Sequence, residues 1–128
     1  MMIVWKLVNG KLVHMTDPSR VKFRTNISKG VLEQLRGVAE ENDTYVNYLL
    51  ETGLERVLAE DIISFNKEAR PKDRIQYKTA YDRKILEETR NFAKKHGVFI
   101  NDVIEYSANK IDIDKVKDKT FKNRIEKA

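Results

Sequence analysis

The sequence predicts a mainly α fold with a short β-ribbon, built from one strand, helix, turn, helix unit written twice. Three observations carry this. Residues 20–58 lie over residues 74–112 at a constant offset of 54 without a gap, and eight positions are identical: Arg20/Arg74, Thr25/Thr79, Leu32/Leu86, Glu33/Glu87, Arg36/Arg90, Ala39/Ala93, Asn47/Asn101 and Glu51/Glu105. Each copy opens on a period-2 stretch, and each continues into apolar residues at helical spacing. Two copies are too few for a solenoid, which needs about three or more repeats to bury a continuous core. Units of about 40 residues rarely fold alone, so the copies are expected to complete each other as an intramolecular pseudo-dimer.

Five segments follow: an N-terminal β-hairpin extension (1–19), the first copy (20–58), a connector (59–73), the second copy (74–112) and a basic tail (113–128). In the first, residues 3–8 and 11–15 flank Asn9 and Gly10, the dipeptide that two-residue type I′ turns favour. Ile3, Trp5, Leu7 and Leu12 then share one face. Packing on the main domain, a partner surface and an incidental segment all stay open as its use.

The strand of copy one alternates Val21, Phe23 and Thr25 with Lys22, Arg24 and Asn26. That of copy two alternates Ile75, Tyr77 and Thr79 with Gln76, Lys78 and Ala80. Each therefore has one face for the core and one for solvent, with Phe23 and Tyr77 on the core side. Ser28 and Asp82 stand where helix caps are needed. The stripes behind them correspond, Val31, Leu32, Leu35, Val38 and Ala39 against Ile85, Leu86, Thr89, Phe92 and Ala93. Asn42 with Asp43, and His96 with Gly97, supply the stops, where a left-handed residue is readily accommodated. The second helices carry Val46, Leu49, Leu50, Gly53, Leu54 and Val57, and Ile100, Val103, Ile104, Ser107, Ala108 and Ile111. A lone strand leaves its backbone groups unpaired, so each strand is expected to pair antiparallel with the other. The tail from Asp114 is rich in lysine and reads as disordered or as a frayed helix.

Composition narrows the function. The chain has no cysteine, which excludes disulfides and thiolate metal sites and is compatible with a reducing cytoplasm. No apolar run approaches the roughly 18 residues of a membrane span, so a soluble cytoplasmic protein without membrane contact is expected. The net charge of +5 is concentrated in residues 74–128, which hold 14 basic against 9 acidic residues. That balance suits a polyanionic partner. There is no Gly-rich phosphate loop, nucleophile and base set or carboxylate cluster of recognisable spacing, so no enzyme and no cofactor are expected. His14 and His96 have no spacing that would make a metal pair, and both are expected in solvent.

In the first copy, Val31 and Leu32, then Val38, Ala39, Glu40, Glu41 and Asn42, then Val46 and Asn47, with Phe23 on the strand, resemble the ribbon-helix-helix (Arc/MetJ-like) family of DNA-binding proteins. The second copy keeps the pattern with fewer identities. The resemblance implies that the paired strands enter the DNA major groove while the starts of the second helices point backbone amides at phosphates. It makes Lys22, Arg24, Asn26, Gln76, Lys78 and Ala80 the base-contacting residues, and places the phosphate contacts at Tyr45, Val46 and Asn47 and at Phe99, Ile100 and Asn101. Arg and Lys match guanine O6 and N7, and Asn and Gln match adenine N6 and N7. Ala80 departs from this pattern by offering only a methyl group.

The function expected is that of a sequence-specific transcriptional regulator, a repressor that occupies double-stranded DNA with cooperative self-association on it. Two other readings stand beside it: an antitoxin or protein-binding adaptor whose tail or hairpin holds a partner, and a scaffold that has kept the fold without binding DNA.

Overall fold

The computed structural model describes residues 5–8, 11–14 and 19–116, with side chains from residue 19 onward. It is mainly helical with a two-stranded antiparallel ribbon, as the repeat predicts. At the N-terminal side, β1 (Trp5–Val8) pairs antiparallel with β2 (Lys11–His14), Trp5 opposite His14 and Val8 opposite Lys11. The expected hairpin is thus formed by its strands; Ile3, the Asn9-Gly10 turn, Met15 and all the side chains of its apolar face lie outside the described residues.

The main domain begins with β3 (Arg20–Ser28), which pairs antiparallel with β4 (Arg74–Asp82). Each strand runs two residues past the alternating stretch read from the sequence. The extra residues include Ile27 and Tyr81, equivalent positions of the two copies, and both are fully buried. Burial pushes the Tyr81 phenol well above its ordinary pKa. On the same inner side, Phe23 and Tyr77 are half-buried as expected. Ile75 is not: it lies near the start of β4, opposite Ile27, and is 39% exposed.

Both strands run directly into helices. Ser28 Oγ accepts from the Val31 amide to start α1 (Lys29–Glu41), and Asp82 Oδ1 accepts from the Ile85 amide to start α3 (Arg83–His96). Both ends also match. Asp43 (φ 54°) and Gly97 (φ 66°) take the left-handed conformation, and the amides after them, Thr44 and Val98, return to the carbonyls of Ala39 and Ala93.

The second helices differ in length. α2 (Val46–Glu60) has 15 residues, whereas α4 (Ile100–Ser107) has only 8 before a 3-10 turn at Ala108–Lys110. The apolar stripe predicts helix through Ile111, which is instead extended. A competing helix start explains the difference: the Asp112 carboxylate accepts from the amides of Asp114 and Lys115, capping a new helical turn at 113–116. Val116 in that turn is fully buried, so the tail contributes to the core at its beginning; residues 117–128 lie outside the described residues.

α2 and α4 cross where Gly53 meets Ser107, another pair of equivalent positions. A Cβ on Gly53 would sit 2.0 Å from the Ser107 carbonyl oxygen, so only glycine permits this approach. Around the crossing, Leu49, Leu50, Leu54, Val57, Val103 and Ile104 are buried together with Leu32 and Leu86 from the first helices. Between α2 and β4 the connector forms a 3-10 turn, Lys67–Ala69. No helix among the described residues is long and apolar enough to cross a membrane.

His96 departs from expectation. Its ring stacks at 4.2 Å on Phe92 and its Nε2 lies 3.0 Å from Asp61 Oδ1, leaving the side chain 23% exposed rather than solvated. The side chain of His14 lies outside the described residues.

Candidate nucleic-acid interface

Strand register places the six ribbon side chains in three opposed pairs: Lys22 with Ala80, Arg24 with Lys78 and Asn26 with Gln76. Lys22, Arg24, Asn26, Gln76 and Lys78 are exposed, and Ala80 is half-buried. No acidic side chain stands among these six. The central pair sets two cations directly opposite each other, an arrangement that costs stability in a sheet.

The same register relates the copies. Arg24 and Lys78 are equivalent under the offset of 54, so the centre of the ribbon is the point where the repeat meets itself. Gly53 and Ser107 do likewise on the helical side.

Partly buried ion pairs fix the ribbon to the helices behind it. Arg20 donates to Glu51 at 2.5 Å, and Arg74 donates to Glu105 at 2.9 Å, both spanning 31 positions within one copy. Each carboxylate then reaches the other copy's strand end: Glu51 accepts from the Asp82 amide at 2.9 Å, and Glu105 from the Ser28 amide at 2.7 Å. Two of the eight sequence identities, Arg20/Arg74 and Glu51/Glu105, are spent on this arrangement. A signal for it was present in the sequence, as a cation and an acid identical in both copies and equally spaced.

Around these pairs the copies diverge. The Arg20 guanidinium lies 5.0 Å from the Tyr48 ring centre, whereas the residue equivalent to Tyr48 is Asp102, which binds Arg74 at 3.0 Å and Arg70 at 2.9 Å. Burial acts to raise the Asp102 pKa. Hydrogen bonds from Arg70, Arg74 and the Phe99 amide outweigh it and hold the carboxyl below its ordinary range. Arg70 has no counterpart in copy one, since it belongs to the connector, and it also packs over Phe65 and Phe99 at 5.4 and 5.1 Å.

The six residues expected at phosphates occupy the N-cap and first two positions of α2 and α4. Tyr45 and Phe99 are the N-caps, 50% and 67% exposed; Val46 is buried, and Asn47, Ile100 and Asn101 are half-buried. The amides of Val46, Asn47, Ile100 and Asn101 come before the first intrahelical donors, the amides of Tyr48 and Asp102, which reach the N-cap carbonyls of Tyr45 and Phe99, so their own helices offer them no carbonyl. The two asparagine side chains are used internally. Asn47 Nδ2 donates to the Ala80 carbonyl at 2.8 Å, and Asn101 Oδ1 accepts from the Asn26 amide at 3.3 Å. Each thereby ties a helix start to the other copy's strand, fixing the distance between the ribbon and the amides.

One further concavity lies away from the ribbon. A cleft of about 700 Å3 opens between Val31, Leu35 and Val38 of α1, Phe65 and Pro71 of the connector, and Tyr106 and Ile113, on the side where α4 stops short. None of the base- or phosphate-contacting candidates lines it. Comparison with protein-family models, curated proteins and solved structures gives no match for this chain.

Proposed function

We propose that this chain is a sequence-specific DNA-binding regulator, a repressor that acts by occupying an operator, in which two ribbon-helix-helix copies form an intramolecular pseudo-dimer. The observation that carries the reading is the opposition of Arg24 and Lys78 at the centre of an exposed ribbon face that has no acid among its six side chains. Neither strand gains from that pair in isolation. A polyanion relieves the repulsion, and a two-stranded ribbon fits the roughly 12 Å width of the major groove.

The mechanism is binding, with no covalent step. The ribbon side chains read base edges, while the amides at Val46 and Asn47 and at Ile100 and Asn101 point positive helix ends at the flanking phosphates. The asparagine ties hold reader and clamp in one register.

Arg24→Ala and Lys78→Ala test this directly. Each should weaken binding to a duplex selected by the wild-type chain by about 1 to 3 kcal/mol, with a much smaller loss on random duplex. Equal losses on both duplexes would mean that these side chains touch phosphate alone, and no binding to either duplex by the wild-type chain would end the DNA reading.

A further inference from the structure

The register gives the two ends of the ribbon different chemistry, and we infer that its DNA element is correspondingly non-palindromic: adenine at the end facing Asn26 and Gln76, guanine beside thymine at the end facing Lys22 and Ala80. The inference rests on the DNA-binding reading above and specifies the DNA that the site takes.

At one end stand two opposed carboxamides, Asn26 and Gln76. Each offers a donor and an acceptor together, the pair presented in reverse by adenine N6 and N7. Lys22 and Ala80 form the other end. An ammonium only donates, which suits guanine O6 and N7, and a methyl packs against the thymine methyl. Between them Arg24 and Lys78 both favour guanine. A strand advances about 3.3 Å per residue, so the two ends lie about 13 Å apart along the ribbon, or roughly four base-pair steps at 3.4 Å each.

A palindrome presents identical edges to the two ends. Rotation about the ribbon centre carries Lys22 onto Gln76 and Asn26 onto Ala80, so the same edge would meet an ammonium in one half and a carboxamide in the other. One half of any palindrome is therefore mismatched. A good contact discriminates roughly 5- to 150-fold against the wrong base, which is enough to enrich an asymmetric element from a random pool.

The test is selection of duplexes from a random pool by the full chain, repeated with Gln76→Ala, with Lys22→Ala and with the symmetrised triple variant Gln76→Lys, Lys78→Arg, Ala80→Asn. Thermal unfolding of each variant serves as the folding control. The wild-type chain should enrich an element with adenine at one end and guanine about four steps away. Gln76→Ala should relax the adenine end alone, Lys22→Ala the guanine end alone, and the triple variant should enrich a palindrome. A palindrome selected by the wild-type chain, or relaxation at the wrong end, overturns the inference and leaves sequence-specific binding standing. Absence of any enriched sequence overturns the DNA reading itself, and the inference with it.

Discussion

Arg24 and Lys78 occupy the same position in the two copies and face each other across the ribbon. A like-charged pair directly opposed in a sheet is a local defect unless something outside the chain uses it. Under the proposed DNA-binding reading it therefore links stability and binding with opposite signs.

Lys78→Gln should raise thermal stability slightly, by ~0.2 to 1 kcal/mol at low salt, and the gain should shrink as salt screens the pair. Binding to the selected duplex should fall at the same time. Calorimetry and a binding titration on one preparation check both signs, and a variant that loses stability would show that the opposition is not repulsive.

Gly53→Ala should be severe for an exchange of one methyl, because that methyl would overlap the Ser107 carbonyl at 2.0 Å. Overpacking of this kind costs about 1 to 3 kcal/mol or more. Gly37→Ala is the control. Gly37 lies in the interior of α1 with nothing within 4 Å of its added Cβ, so alanine there should stabilise by about 0.5 to 1 kcal/mol. Equal effects at the two glycines would remove the close helix crossing from the account.

Stability should fall as acid protonates Asp102. Its folded-state pKa lies below the ordinary value, so its contribution is fully present above the unfolded pKa, near 3.9, and is lost as the pH drops through the lower folded value. Asp102→Asn should flatten the melting curve's pH dependence below about pH 4 while lowering stability at neutral pH, where Arg70 loses the carboxylate it binds and Arg74 keeps only Glu105. An unchanged acid profile would assign the acid sensitivity to other carboxylates.

Much of this architecture was legible because the repeat supplied two independent statements of one pattern. Period-2 alternation identified the outer ribbon face, and Ser28 and Asp82 marked the helix starts. Alternation fixes a face without fixing which residues stand opposite, so the pairing of Asn26 with Gln76 required the structure. The strand ends are less legible, because Ile27 and Tyr81 stand next to the capping residues Ser28 and Asp82 at the turn into each helix. The apolar stripe makes α4 look longer than it is, because Ile111 continues it while Asp112, one residue on, caps a new turn. Arg70 was unreadable: it has no counterpart in the other copy, and its partner Asp102 replaces Tyr48. The asparagines at the helix starts look like phosphate ligands by position, yet their side chains hold the ribbon.

Since the paired strands belong to one chain, thermal unfolding should not depend on protein concentration in the low micromolar range. The link replaces association by an internal event at an effective concentration of about millimolar. A midpoint that rises with concentration would mean that strands pair between chains.

The central claim, that the ribbon reads DNA from the major groove, is tested most directly by methylation interference on the selected duplex. Guanine N7 lies in the major groove and adenine N3 in the minor groove. The account predicts that methylation of guanine N7 at the centre of the element, opposite Arg24 and Lys78, abolishes binding, while methylation of adenine N3 has little effect. Interference confined to adenine N3, or none at either position, would contradict it.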